Sequence, residues 1–275
     1  FLAKRIFQPA GMTNTSVLNQ YKVISNRARG YTIFNDEVVN IRRDIQVELP
    51  SHYGIMSTAA DLAKWDAALR SEKILKQSTL NLMWTPVRLN NGSMSQYGLG
   101  WELDERRGHA IVGHGGITGT EISRFVNDSL TVIVLTNMGS WGEATPQINS
   151  WGITIKVAEF YLPDLAYHAI EDRDPQFTAA IRKLFSQPTM ATWDETLFTP
   201  EVWAELKKLS TSNEKYLKSL GKLREIQLVE QTQKGEARRY VYRLSYDGRS
   251  QTLIVVRNKA GKVTSIWRDA EDPDE

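Results

Sequence analysis

Leu62, Trp65, Ala68 and Leu69 fall on one face at helical spacing within STAADLAKWDAALRS, which predicts an amphipathic helix. Ser57 or Thr58 can cap it, and Asp61 stands at capping-box distance from Thr58, which accounts for a carboxylate in the first turn. A second helix is predicted over residues 76–84, ending before Pro86. Residues 1–7 read as the end of a helix stopped by Gln8-Pro9-Ala10-Gly11, and residues 19–50 as a polar excursion with a small hairpin around Asn35-Asp36. Four strands follow, at 99–103, 110–113, 121–126 and 130–136, with tight turns at Arg107-Gly108 and Asn127-Asp128-Ser129. TVIVLTN is apolar on both faces and predicts a central, buried strand. A helix over 148–161 places Trp151, Ile155, Ala158 and Phe160 near one face.

The pattern changes after Pro163. AYHAIEDRDPQ is polar and contains Pro, which suits a linker. Beyond it the spacing predicts helices over 176–186 and 200–220, the second broken, then strands at 223–231, 238–246, 251–257 and 262–268. Tyr240, Tyr242, Leu244 and Tyr246 alternate with Val241, Arg243 and Ser245, the period of a half-buried antiparallel strand. The fold class is therefore α+β. The divisions are residues 1–165 and a helix-then-antiparallel-sheet unit over 166–275. Tyr240, Tyr242, Tyr246 and Trp267 are expected in a core, with a ligand pocket as the other reading. Arg238, Arg239, Arg243 and Arg257 are expected to make the opposite sheet face basic.

With 41% hydrophobic and 24% charged residues over 275 positions, the composition is that of an ordinary globular protein. A formal net charge of +2 is too small to argue for nucleic acid or an anionic membrane surface as partner. The absence of Cys excludes disulfides, zinc fingers and a thiol nucleophile. No apolar run approaches the roughly 20 residues that span a bilayer. His52, His109, His114 and His168 have no metal-ligand spacing with carboxylates, so no metal is expected. His109 is expected at the surface, DERRG at a solvated hairpin tip, and Trp65, Trp84 and Trp101 in the core or a pocket wall. The chain opens without Met in mid-helix, which predicts a piece of a longer protein.

IVGHGGITGT poses the chemical question. Gly weakens a strand and often marks the place where a ligand or another backbone comes close. His114 beside Gly115 and Gly116 is therefore read as a site residue. Tyr97, before GLGW, is a candidate to face the same cleft, with a packing role weighed equally.

IFQPAGMTNTS, GIMSTAADLAKW, YGLGWEL and VGHGGITGTEISRFVNDSLTVIVLTN occur in one order over residues 1–162. Together they resemble the second half of a β-lactamase-related serine hydrolase, the superfamily of class C β-lactamases, penicillin-binding DD-peptidases and related esterases. The resemblance implies a partial β-lactamase/transpeptidase-like fold, with a nucleophilic Ser in S-x-x-K, a second motif Y-x-N or S-x-N, and a strand motif K-T-G or H-x-G. His114-Gly115-Gly116 matches the strand motif. It implies an oxyanion donor at the backbone N–H of Ile117 or Thr118, and His114 beside the substrate carboxylate or the leaving proton.

His in place of Lys leans the resemblance towards esterase or peptidase. Substrates would be small molecules or peptides, cleaved through an acyl-enzyme at an ester, amide or peptide bond, with no cofactor implied. The family's members are often exported. Only Ser212-Asn213-Glu214-Lys215 and Ser219-Leu220-Gly221-Lys222 fit S-x-x-K, both in the tail, and no Y-x-N occurs. The nucleophile is thus expected in an upstream segment of the same protein, with this chain inactive alone; the competing reading is a non-catalytic binding or regulatory module. The tail resembles NTF2 or cystatin-like α+β units. A sheet lacking that segment is expected to expose apolar surface on the 130–136 strand and the 148–161 helix, and to self-associate.

Overall fold

The computed structural model describes residues 1–19, 21–34, 37–40, 54–116, 118–139, 149–187, 189–247 and 249–268. They form two compact units, Phe1–Leu165 and Ala166–Glu275. In the first, Ala3–Phe7 winds as a π-type turn into Gln8–Ala10, and Gly11 ends it at φ 75°. Strand β1 (Ser16–Val17) comes next, then a hairpin of β2 (Tyr31–Phe34) and β3 (Glu37–Asn40). The turn at Asn35-Asp36 lies outside the described residues. Strand β4 (Ile55–Met56) returns to pair with β1.

Helix α1 (Ala59–Arg70) starts where Thr58 Oγ1 accepts the Asp61 N–H at 3.2 Å. The Asp61 side chain does more than occupy a first turn. It accepts from the Asn14 N–H at 2.6 Å, Thr15 Oγ1 at 2.9 Å and Lys64 Nζ at 2.8 Å. Burial alone would raise its pKa, but Lys64, the Asn14 amide and Thr15 outweigh it and hold the carboxyl below the usual range. The carboxylate thus ties MTNT to STAADLAKW, and capping explains only its amide.

Helix α2 (Gln77–Met83) and the antiparallel sheet β5 (Glu102–Arg106), β6 (His109–Gly116), β7 (Thr120–Phe125) and β8 (Leu130–Leu135) complete the frame, with α3 (Ser150–Glu159) after it. Alternation sends the sheet's side chains two ways. Ile111, Phe125 and Val132 pack with Ile155 and Ala158 of α3. Val112 packs with Leu69, Leu80 and Trp101 on the α1–α2 side. Helices on both faces explain why TVIVLTN is apolar throughout. The expectation of a central strand is corrected: among the described residues β8 is an edge of the order β5-β6-β7-β8. Phe160 and Tyr161, just past α3, are exposed.

On the α1 side the sheet carries charge. Asp66 accepts from Arg124 Nε at 2.7 Å, Arg70 Nε at 2.7 Å and Thr131 Oγ1 at 2.8 Å, and both Asp66 and Arg124 are buried. The Arg124 guanidinium also lies over the Trp84 ring, 5.1 Å from its centroid.

The second unit carries α4 (Pro175–Phe185), α5 (Pro200–Lys208) and α6 (Ser210–Ser219), then the meander β9 (Leu223–Lys234), β10 (Ala237–Tyr246), β11 (Ser250–Arg257) and β12 (Val263–Arg268). The break between α5 and α6 falls at Leu209. Tyr240, Tyr242 and Tyr246 are buried, so this stripe is core, while Trp267 is half exposed. Tyr240 and Tyr242 stack at 6.1 Å and satisfy their hydroxyls on Asp174 at 2.9 Å and Thr178 at 3.0 Å. The basic-face expectation is corrected for Arg238, which shares the parity of Tyr240, and for its register partner Arg257. Arg257 turns inward to pair with Asp174 at 2.6 Å and lies over Phe177.

Candidate functional site

Strand β6 runs on through the glycines, so its His114 is in register with Ile122, Gly115 with Glu121 and Gly116 with Thr120. His114 shares the parity of Val112 and therefore faces the α1–α2 side, at the exposed end of the strand. Tyr97 meets it there: the Tyr97 hydroxyl is 2.8 Å from His114 Nε2, and the rings make an edge contact at 5.7 Å. His114 Nδ1 lies 2.7 Å from the Gly115 carbonyl oxygen. The structure thus brings together His114, Gly115, Gly116 and Tyr97. Ile117 lies outside the described residues. Thr118 sits half-buried in the turn before β7, and its carbonyl accepts from Thr136 Oγ1 at 3.3 Å.

Each glycine has a close neighbour on β7. A β-carbon at Gly113 would lie 2.6 Å from the Ile122 carbonyl oxygen, 2.9 Å from Ser123 Oγ and 3.2 Å from Glu121 Oε1. At Gly115 it would lie 3.2 Å from Glu121 Oε2, and at Gly116 it would collide with Thr120 Oγ1. The bare backbone of β6 makes room for a buried carboxyl on the face opposite His114. Glu121 accepts from Ser123 Oγ at 2.9 Å. Burial above all, then the charge of Glu102, pushes its pKa up to about 7, against the pull of Ser123 and His114.

Glu121 carried no role in the sequence reading. Its signal was present in TEISRF, where the period of two places Glu121 on the same side as Phe125, opposite a run with three glycines.

His109 corrects another expectation. It is not a free surface residue: Nδ1 is 2.9 Å from Asp128 and Nε2 3.0 Å from Asp164, with 12% of the side chain exposed. A neutral imidazole has one N–H, so both contacts form hydrogen bonds only in the cation. The Asp128 bond, helped by Asp164, raises its pKa. The stability this gives is fully present below about pH 6.5 and is lost as pH rises through the higher folded value. His109→Gln is expected to melt lower than wild type at pH 5.5 and to converge on it as pH rises; a difference that stays constant from pH 5.5 upward would refute the bridge.

Ser212 Oγ donates to the Leu209 carbonyl at 2.9 Å and Ser219 Oγ to the Tyr216 carbonyl at 2.7 Å, so both S-x-x-K serines are bonded to their own helix. Among the described residues, no group of His, Asp and Glu has metal-ligand geometry, and no helix is long and apolar enough to cross a membrane.

The arrangement is an α+β sheet-and-helix unit carrying an exposed H-x-G strand end. Residues 1–149, more than half of the chain, match the family model described as Beta-lactamase, and the chain belongs to that family. A penicillin-binding protein of Bacillus subtilis (strain 168) is 29% identical over 153 residues, covering 50% of this chain and 34% of that protein. The chain spans about a third of the length of the curated relatives it matches. A penicillin-binding protein from Bacillus halodurans is 22% identical, with a TM-score of 0.41, over 51% of this chain and 45% of that one. The octameric penicillin-binding protein homologue from Pyrococcus abyssi is 16% identical, with a TM-score of 0.49, over 95% of this chain and 54% of that one.

Proposed function

We propose that this chain supplies the H-x-G strand of a serine hydrolase that works through an acyl-enzyme on an ester, amide or peptide bond. The observation that carries the reading is the exposed end of β6, where His114 and Tyr97 meet beside Gly115-Gly116. The nucleophile and its lysine belong to sequence preceding Phe1 in the whole protein. The two S-x-x-K matches in the second unit are helix-bonded serines and do not serve. The acyl oxygen would sit at the backbone N–H of Ile117 or Thr118, where a preorganised donor stabilises the developing charge. The second unit is an accessory domain of NTF2 or cystatin-like character.

The test is covalent labelling of the native gene product. A fluorescent penicillin and a fluorophosphonate are expected to label a Ser upstream of this chain's Phe1, in a protein well above 31.3 kDa, and the 275-residue chain alone is expected to take neither label. A native product near 31.3 kDa that takes no acyl label would overturn the reading and favour a binding or regulatory module.

A further inference from the structure

Both ring nitrogens of His114 are already engaged. Nδ1 faces the Gly115 carbonyl oxygen at 2.7 Å, an atom that only accepts, so Nδ1 carries a proton. In the neutral imidazole Nε2 is then the acceptor, and the donor 2.8 Å away is the Tyr97 hydroxyl. His114 has no nitrogen left for a ligand. The Tyr97 oxygen, with its proton directed at Nε2, keeps acceptor lone pairs, and its side chain is 39% exposed.

We propose that Tyr97, not His114, is the group that meets the substrate at this end of β6, and that His114 is the positioning residue behind it. The proposal rests on the hydrolase reading for what the substrate is. The Tyr97–His114 couple stands on its geometry alone.

The backbone holds Tyr97 in place. A side chain at Gly98 would collide with the Met83 carbonyl at the end of α2. The Leu99 N–H donates to that same carbonyl at 2.9 Å, and the Gly98 N–H donates to Trp101 O at 2.8 Å. Tyr97 itself bridges to Glu102 at the start of β5. The segment is thus pinned to both α2 and the sheet, and the edge contact with the imidazole fixes the phenol's direction.

An oxygen presenting lone pairs selects its ligand. The substrate group bound here is a hydrogen-bond donor, such as an amide N–H, an ammonium or a hydroxyl. A carboxylate placed here would meet lone pairs and gain no bond.

Two measurements on the 275-residue chain test this without any need for turnover. In the first, tyrosine labelled with 13C at Cζ is compared by NMR in wild type and in His114→Leu at one pH. The Tyr97 resonance is expected to shift between the two proteins, as the phenol loses its acceptor 2.8 Å away, while that of Tyr21 stays in place; a Tyr97 resonance unchanged by His114→Leu would overturn the couple.

The second is acetylation by N-acetylimidazole. An O–acetyl bond forms at the phenol as the reagent's N–acetyl bond breaks; the phenolic proton passes to His114 Nε2, and the departing imidazolide takes a proton from that nitrogen or from water and leaves as imidazole. Tyr97 is expected to react several-fold faster than Tyr21, which is 89% exposed, and to lose that advantage in His114→Leu. A Tyr97 rate at or below that of Tyr21, or one unchanged by His114→Leu, would overturn the proposal. If both measurements succeed while the native protein takes no acyl label, the hydrolase reading fails and the couple survives.

Discussion

Asp66→Ala is expected to lower the stability of the first unit by about 3–5 kcal/mol, the usual loss when one partner of a buried ion pair is removed. Asp66 joins Arg124 of β7, Thr131 of β8 and Arg70 of its own helix, and Arg124 is only 5% exposed. Without the carboxylate the buried Arg124 guanidinium loses its ion-pair partner and keeps only the Trp84 ring contact among the described residues. Burial would raise the Asp66 pKa, yet Arg70, Thr131 and Arg124 bring it below the ordinary value. Its contribution is present above about pH 3.8 and is lost as pH falls through the lower folded pKa.

Urea unfolding, read by tryptophan fluorescence, checks this. The paired variant Asp66→Leu with Arg124→Met is expected to recover most of the loss, since well-packed apolar groups often replace a buried pair at little cost. A single-variant loss below about 1 kcal/mol would mean that the pair is solvated and screened.

Glu121→Gln is expected to act in the opposite direction, and only at higher pH. The folded pKa of about 7 exceeds the ordinary 4.5, so the folded state holds its proton longer than the unfolded one. Relative stability is fully present below about pH 4.5 and declines as pH rises through about 7. The rise from 4.5 to about 7 corresponds to about 3 kcal/mol once the carboxylate is fully ionised. Gln has nearly the shape of the protonated acid and no proton to lose. The variant should therefore match wild type below about pH 4.5 and be more stable at pH 8.5, by the same urea measurement. Equal slopes of stability against pH in the two proteins would show that Glu121 is solvated in the folded state. His109 falls in the same direction with pH, so its own Gln variant is the necessary control.

The elements with a strong period were legible in the sequence. Helix α1 announces itself through Leu62, Trp65 and Leu69, and the second unit's meander through the alternating tyrosines of β10. What periodicity missed lies where long-range contacts decide. Strand β6 was expected to stop at Gly113, because glycine reads as a breaker; its ladder with β7 carries it through Gly116. Asp66 and Arg124 stand 58 positions apart, and nothing local in either stretch names the other. At the candidate site the sequence singled out His114 and Tyr97 separately. It did not show that one occupies the other's free nitrogen, nor that a carboxyl lies behind the glycines.

The short ladder of β1 with β4, extended by the Leu18 N–H to Gly54 O bond at 2.6 Å, is a clasp at the base of the intervening stretch. Asp61 reinforces it from α1 through Asn14 and Thr15. Tyr31 is a second anchor, bonded to Asn137 O at 2.7 Å and to the Gly139 N–H at 3.1 Å. Between clasp and anchor, chain length is decoupled from the helix and sheet on either side. Loop closure charges only about 0.6 kcal/mol for each doubling of such a span. This is accordingly where the first unit can accept inserted or deleted segments while α1 keeps its seat.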